Sequence, residues 1–91
     1  MSTSDRVEMI KARCNAAFTP TELDVVDESH KHVGHAGAAG GGGHFKMRIV
    51  APEFAGKNLL ERHRMVYEAM GEAMHHEIHA LSVKAYSPDE V

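Results

Sequence analysis

Histidine is the residue type that stands out in this chain. Eight of its 91 residues are histidine, the side chain that both titrates near neutral pH and binds metal ions most often. Seven of them form two groups that are far apart in the sequence: His30, His32, His35 and His44, and then His75, His76 and His79. The single cysteine, Cys14, excludes an internal disulfide framework and a metal site built from this chain's thiolates alone. Imidazole is therefore the metal ligand that the chain can offer in quantity.

The spacing of apolar residues predicts two helices. Apolar residues recur at helical spacing over residues 7–18, after possible N-cap side chains at residues 2–4 and before a stop at Thr19-Pro20. A second helix is predicted to start after Asn58, a possible N-cap, and to run for about five turns. Its apolar stripe consists of Leu59, His63, Val66, Tyr67, Met70, Ala73 and Met74.

Alternation of apolar and polar residues predicts three strands, over residues 23–29, 44–50 and 79–86. The second strand alternates most cleanly, because Phe45, Met47 and Ile49 fall on one face while Lys46 and Arg48 fall on the other. Residues 30–43 hold six glycines and are far longer than a usual hairpin loop, so we expect this loop to be flexible.

The element order α, β, β, α, β restricts the topology. A right-handed crossover through the second helix makes strands two and three parallel, and the loop makes strands one and two antiparallel. We therefore expect a single α+β domain over residues 1–91, a two-layer sandwich with a three-stranded mixed sheet of the K-homology type. The acidic tail, residues 87–91, is expected to fray.

This topology brings the two histidine groups together. Strands two and three run in the same direction, so both begin at the end of the sheet where the loop finishes and where the second helix stops. Two neutral imidazoles leave a tetrahedral metal ion or a cluster iron short of ligands. The sequence therefore predicts half of a metal site, to be completed by water, a small thiol or a partner's cysteine.

Several strings of residues resemble the BolA family: VVDESHKH, HFKMRIV, FAGKNLLERHRMVY and IHALSVKAYSP. Together they run from about residue 6 to about residue 88, and their order and spacing are specific. The resemblance implies a small α+β domain that pairs with monothiol glutaredoxins of the CGFS type. It also implies that the pair shares a [2Fe-2S] cluster, for which the glutaredoxin cysteine and glutathione provide thiolates.

The same resemblance implies the histidine ligands. The histidine of the H-A-L motif is His79 in this chain, and the family takes its second ligand from the loop, as histidine in one subgroup and cysteine in another. This loop has no cysteine, so the chain resembles the histidine subgroup. His32 follows D-E-S at the shorter family spacing and is slightly favoured over His35, which has the glycine–histidine context; His30 is a weaker third candidate. The isolated chain is expected to hold no stable cluster.

DNA binding is the alternative function. The K-homology topology is a nucleic-acid scaffold, the BolA family is associated with transcriptional regulation in bacteria, and Lys57, Arg62 and Arg64 form a basic region around the second helix. Against this reading stand a net charge of −3, the lack of a G-x-x-G clamp between the helices, and only five aromatic residues.

Other residues have simpler structural interpretations. We expect His63 to be a buried or half-buried structural imidazole on the apolar stripe, hydrogen-bonded to backbone, and Cys14 to be a small core residue. The sequence has no paired carboxylates or activated nucleophile, so catalysis is not expected. It has neither an apolar run long enough to span a membrane nor an apolar segment near the N-terminus, which favours a cytoplasmic location, with an organellar origin as the alternative.

Overall fold

A computed structural model describes residues 3–28, 43–75 and 78–91 of the chain. Helix α1 spans Thr3–Ala17, strand β1 Glu22–Asp27, strand β2 Gly43–Val50, helix α2 Leu59–Met70 and strand β3 Ile78–Tyr86. Short 3-10 helices cover Pro52–Phe54, Gly71–His75 and Pro88–Glu90. The predicted α, β, β, α, β order is confirmed. Most of the loop expected to be flexible, residues 30–42, lies outside the described residues.

The three strands form one mixed sheet with β2 at its centre. β1 pairs with β2 in the antiparallel direction, with Glu22 opposite Val50. β3 pairs with β2 in the parallel direction, with Gly43 opposite Ile78. Both orientations agree with the prediction, in which the crossover makes β2 and β3 parallel and the loop makes β1 and β2 antiparallel.

The core lies between the two helices and one face of the sheet. Phe45, Met47 and Ile49 of β2 point into it, as their alternation predicts. α1 contributes Ile10 and Cys14, which are one turn apart and fully buried. Burial of one large apolar side chain stabilises the fold by about 1.5–3 kcal/mol, so these residues fix which face of α1 meets the sheet.

The start of α2 is set by a capping box. The side chain of Asn58 accepts a hydrogen bond of 2.8 Å from the backbone N–H of Glu61, and the Glu61 carboxylate accepts one of 3.0 Å from the backbone N–H of Asn58. This arrangement satisfies two backbone donors that would otherwise lack a partner in the first turn. The prediction of Asn58 as N-cap is confirmed.

The end of α2 comes earlier than predicted. The α-helix stops at Met70, and the apolar stripe continues through the 3-10 helix Gly71–His75. Gly71 has φ 57° and ψ −132°, and its backbone N–H donates to the carbonyls of Tyr67 and Glu68. Since this backbone conformation is open mainly to glycine, Gly71 ends the α-helix.

The buried stripe of α2 is also narrower than predicted. Its buried residues are Arg62, Val66 and Met70, which follow one another at intervals of four. Leu59 and Tyr67, which were predicted to lie on the stripe, are 66% and 38% exposed. The place at the start of the stripe is taken by Arg62, whose aliphatic stem can line apolar surface while its guanidinium binds polar groups.

Side chains of α2 also cover the outer edge of β3. The Tyr67 hydroxyl donates a hydrogen bond of 3.4 Å to the Leu81 carbonyl, and Arg62 Nη1 donates one of 2.9 Å to the Ala85 carbonyl. Edge strands commonly carry unpaired backbone groups. At these two positions of β3 the carbonyls are already engaged.

The C-terminal tail is held rather than frayed. Ser87 is only 2% exposed, and its backbone N–H donates a hydrogen bond of 2.6 Å to Glu90 Oε1. Arg62 donates two hydrogen bonds to the Glu90 carboxylate, from Nη1 at 2.6 Å and from Nη2 at 3.1 Å. The expectation of fraying was wrong for residues 87–90, because a charge partner far away in the sequence anchors the turn.

Replacement of Gly71 by alanine should lower the free energy of unfolding by about 1–3 kcal/mol, because the new Cβ would disfavour the observed backbone conformation. The added Cβ would lie 3.4 Å from Arg13 Nη1, an ordinary van der Waals contact with the end of a flexible side chain, so the cost comes from the backbone conformation. Urea unfolding followed by circular dichroism measures the change. The exposed neighbour Glu72 provides the control: Glu72→Ala should alter stability by less than about 0.5 kcal/mol. Equal effects of the two substitutions would contradict the role given to Gly71.

Candidate metal-ligating end of the sheet

Three strand termini meet at one end of the sheet, which we call the histidine end. β2 begins there at Gly43 and β3 begins beside it at Ile78. β1 finishes there, and the chain continues to Glu28, whose backbone N–H donates a hydrogen bond of 2.8 Å to the His44 carbonyl. The backbone arrangement required by the predicted half-site is therefore present.

His79 is the second residue of β3 and lies at the histidine end. The register changes at this point, because Gly43 is opposite Ile78 while His44 is opposite Ala80. Residue 79 is therefore an extra residue between two paired positions, as in a β-bulge. Bulges are over-represented next to functional sites, and here the irregularity falls on the histidine singled out by its motif.

The other two predicted ligands, His32 and His35, lie outside the described residues, as does His30. The described chain stops at Glu28 and resumes at Gly43, and both residues are at the histidine end. The segment that carries these three histidines thus leaves and rejoins the described chain at the end of the sheet where β3 begins. The choice between His32 and His35 as the second ligand stays a prediction.

The described histidines near this end do not form a metal site by themselves. His44 is half-buried in β2, and His75 is exposed in the 3-10 helix that follows α2. Within residues 3–28, 43–75 and 78–91, no group of three or more histidine, cysteine, aspartate or glutamate side chains could hold a metal ion. Any ion at this end would need ligands from outside the described part of the chain.

His63 lies on α2, away from the predicted ligand set. Its side chain is half-buried, as predicted, and its ring centroid is 6.2 Å from that of Tyr67. Its Nε2 atom is buried and has no hydrogen-bond partner among the described residues, so the expected backbone hydrogen bond is not made at this atom. The half-buried ring lies beside Tyr67 of the same helix, which supports a structural role.

Cys14 is unsuited to metal ligation. Its side chain is fully buried, and its Sγ donates to Met47 Sδ at 3.9 Å. Burial raises the pKa of the thiol from 9.0 to about 11, because the thiolate would lose its hydration. The thiol is therefore protonated and shielded at neutral pH, and the prediction of a core residue is confirmed.

Arg62, one of the three residues proposed for DNA binding, is committed to the fold. Besides Ala85 and Glu90, its guanidinium binds the Lys57 carbonyl through Nε at 2.9 Å. It joins the start of α2, the end of β3 and the C-terminal turn, and it is only 9% exposed. The sequence does contain a signal for the burial of Arg62, because Arg62, Val66 and Met70 follow one another at intervals of four residues. Lys57 and Arg64 are exposed and remain available to a partner.

The architecture is that of a small α+β sandwich with two helices on a three-stranded mixed sheet, and comparisons with known proteins place it in a family. Residues 14–90 match the family model described as BolA-like protein. The chain is 40% identical, over 83 residues, to the DNA-binding transcriptional regulator BolA of Escherichia coli, covering 91% of this chain and 76% of that protein. The chain belongs to the BolA family, as the sequence resemblance indicated.

Two further comparisons involve a plant protein that is much longer than this chain. SufE-like protein 1 of Arabidopsis thaliana, chloroplastic and mitochondrial, is 39% identical over 87 residues, covering 90% of this chain but 24% of that protein. The solved structure of its BolA domain superposes with a TM-score of 0.84 at 36% identity, covering 100% of this chain and 99% of the domain. Our chain thus corresponds to the BolA portion, about a quarter of the plant protein.

The relatives include both organellar and bacterial proteins. SufE-like protein 1 and protein BOLA1 of Arabidopsis thaliana are named for organelles, and the Escherichia coli relative is bacterial. No helix within the described ranges has both the length and the apolar character needed to cross a membrane.

Removal of the Glu90 charge should make the stability of the fold depend less on pH in the acidic range. Hydrogen bonds from Arg62, and then from the Ser87 backbone and hydroxyl, lower the pKa of Glu90 from 4.5 to about 2. A carboxyl with a lowered native pKa stabilises the fold above its unfolded pKa, and this contribution is lost as the pH falls through the native value. We expect Glu90→Gln to melt below the wild type at neutral pH and the two melting temperatures to converge between about pH 4.5 and pH 2.

Thermal melts at a series of pH values measure this effect. Glu8→Gln is a suitable control, because Glu8 is exposed on α1 and has no ion pair among the described residues. Its melting temperature should follow that of the wild type at every pH. A Glu90→Gln protein that behaves in the same way would show that the Arg62–Glu90 pair does not stabilise the fold in solution.

The Cys14 thiol should be unreactive in the folded protein. Its burial and its pKa of about 11 leave almost no accessible thiolate at pH 8. A thiol-specific chromogenic disulfide should therefore react much more slowly with the native protein than with the same protein in denaturant. Rapid labelling of the native chain, at the rate of a free small thiol, would contradict the buried placement.

Proposed function

We propose that this chain is the partner of a monothiol glutaredoxin of the CGFS type and shares a glutathione-dependent [2Fe-2S] cluster with it through histidine ligands. Such a pair would serve iron–sulfur cluster trafficking or iron and redox regulation. The observation that carries the proposal is the parallel pairing of β2 and β3. It places His79 at the same end of the sheet as both ends of the segment that contains His32 and His35.

The chemistry of the donor set is compatible with a shared cluster. The chain's one thiol is buried in the core, so the chain can contribute imidazole but no accessible thiolate. Sulfur ligands would come from the glutaredoxin cysteine and from glutathione. His79 would be one ligand from this chain, and His32 or His35 the other.

Histidine ligation would give the bound cluster distinct properties. Replacement of thiolates by histidines at one iron makes the cluster less negative and raises its reduction potential, as in Rieske centres. The role of this chain is then to hold deprotonated ring nitrogens at the histidine end and to bind the glutaredoxin beside them. This is the role of a binding partner and not of an enzyme.

DNA binding is the second candidate function. It is favoured by the name of the Escherichia coli relative, a DNA-binding transcriptional regulator. The exposed Lys57 and Arg64 would carry it, because the Arg62 guanidinium is engaged within the fold. The net charge of −3 argues against it, since an overall negative protein is repelled by phosphates.

Single histidine variants test the cluster proposal. The isolated chain should bind no stable cluster, whereas a mixture with a CGFS glutaredoxin, glutathione, iron and sulfide should give a coloured heterodimer. We expect His79→Ala to change the visible spectrum of this heterodimer and to shorten cluster retention. His32→Ala and His35→Ala should differ from each other, and the one that reproduces the His79→Ala change identifies the second ligand.

His75→Ala is the matched control, because His75 is exposed in the 3-10 helix ahead of β3 and has no assigned role. Its heterodimer should have the wild-type spectrum and retention. An unchanged spectrum together with unchanged retention in His79→Ala would remove His79 from the site. Failure of the wild-type pair to assemble a cluster would overturn the proposal as a whole.

A further inference from the structure

The face of the sheet turned away from the helices carries segregated charge. We call it the open face. Residues that alternate with the buried ones lie on it, and most of them are exposed. Glu22, Asp24 and Val26 come from β1, whereas the cations Lys46, Arg48 and Lys84 come from β2 and β3. The acidic part therefore lies along one edge strand and the basic part along the other two strands.

The basic part contains a like-charge pair. Arg48 is directly opposite Lys84 in the parallel register, and Lys46 is two residues before Arg48 on the same face. Like charges that are directly opposite in a sheet are destabilising. Arg48 is also directly opposite Asp24 in the antiparallel register, so acidic residues of β1 offset its charge, and Lys46 and Lys84 are the cations left for an external group.

The three cations differ in the partners that they have within the chain. Arg48 binds Glu22 at 3.0 Å and lies over the ring of Tyr86, 5.5 Å from its centroid. Lys46 and Lys84 are exposed, and neither forms an ion pair with the described residues. The two ammonium groups are therefore available to a partner.

The open face reaches the histidine end. Ser82 is opposite Lys46, and two residues earlier on β3 comes Ala80, which follows His79 directly. Lys46 is three residues from the start of β2, which corresponds to about 10 Å along a strand. A protein that supplies sulfur ligands at the histidine end would be large enough to extend over this part of the sheet.

We propose that the open face is the docking surface for the glutaredoxin. Acidic groups of the glutaredoxin would face Lys46 and Lys84, and basic groups would face Asp24. The side chain of Val26, 52% exposed, lies on the edge strand directly opposite Lys46 and offers an apolar contact. This inference rests on the proposed function and specifies how the partner is oriented, because complementary charge fixes register more than it adds affinity.

The mixed charge of this surface favours a protein over a nucleic acid as the occupant. A nucleic-acid backbone is uniformly negative, so it would be attracted by the two lysines but repelled by Glu22 and Asp24 on the same flat face. A protein surface can present both signs. The two occupants therefore predict opposite effects when Asp24 is neutralised.

Binding of the apo glutaredoxin, with glutathione but without iron, tests the docking surface separately from cluster ligation. Titration calorimetry of the full chain at low and at high salt gives the Kd. We expect Lys46→Glu/Lys84→Glu to weaken binding by about tenfold at low salt, and less at high salt because the attraction is screened. Asp24→Asn should also weaken binding, by about twofold to threefold.

Lys57→Glu/Arg64→Glu is the matched control, since it makes the same change in net charge at exposed positions around the start of α2. Its Kd should stay within about twofold of the wild type. Circular dichroism melts check that each variant is folded. Because this assay contains no iron, a loss of affinity in it reports on docking and not on cluster ligation.

Three results would overturn the docking surface. The first is a wild-type Kd for Lys46→Glu/Lys84→Glu, which would leave the cluster-sharing function intact. The second is tighter binding of Asp24→Asn to duplex DNA together with unchanged binding to the glutaredoxin, which would make nucleic acid the occupant. The third is a lack of association between the wild-type chain and the glutaredoxin, which would remove the proposed function as well.

Discussion

The parallel pairing of β2 with β3 is the constraint on which the rest of this structure depends. Antiparallel strands can be joined by a tight turn, but parallel strands require a crossover, and here α2 and the 3-10 helix after it provide that crossover. The pairing therefore places the start of β2, the start of β3 and the departure of the chain from β1 at one end. Residues separated by more than thirty positions in the sequence, such as Gly43 and Ile78, meet there.

Charged residues serve the molecule in two different ways. Arg62 is buried and saturated by carbonyls and by Glu90, so its charge stabilises the fold. Lys46 and Lys84 are exposed and unpaired within the described chain, so their charge is available to another molecule. A simple count of basic residues does not separate these uses, because the distinction depends on contacts between distant parts of the sequence. Arg62 shows this most clearly, since its three partners lie in different elements.

The sequence was sufficient to predict the elements, their order and the direction of each strand. Alternation in β2 and the cap at Asn58 are local signals, and here the tertiary structure agrees with them. The early end of α2 was missed, because the apolar spacing continues past Gly71, whereas the positive φ of Gly71 ends the α-helix. The anchored tail was missed because the partner of Glu90 is twenty-eight residues away. At the site, the motif identifies His79, but the register change beside it depends on how two strands pair.

The bonds from Tyr67 and Arg62 to β3 have a consequence for how this sheet can grow. A strand from another molecule that approached β3 would find the Leu81 and Ala85 carbonyls already accepting hydrogen bonds from side chains of α2. Edge-to-edge stacking of copies, the usual first step towards fibrils, is therefore obstructed on this side. Any association of the folded chain through its β3 side has to proceed by side chains instead of by backbone ladders.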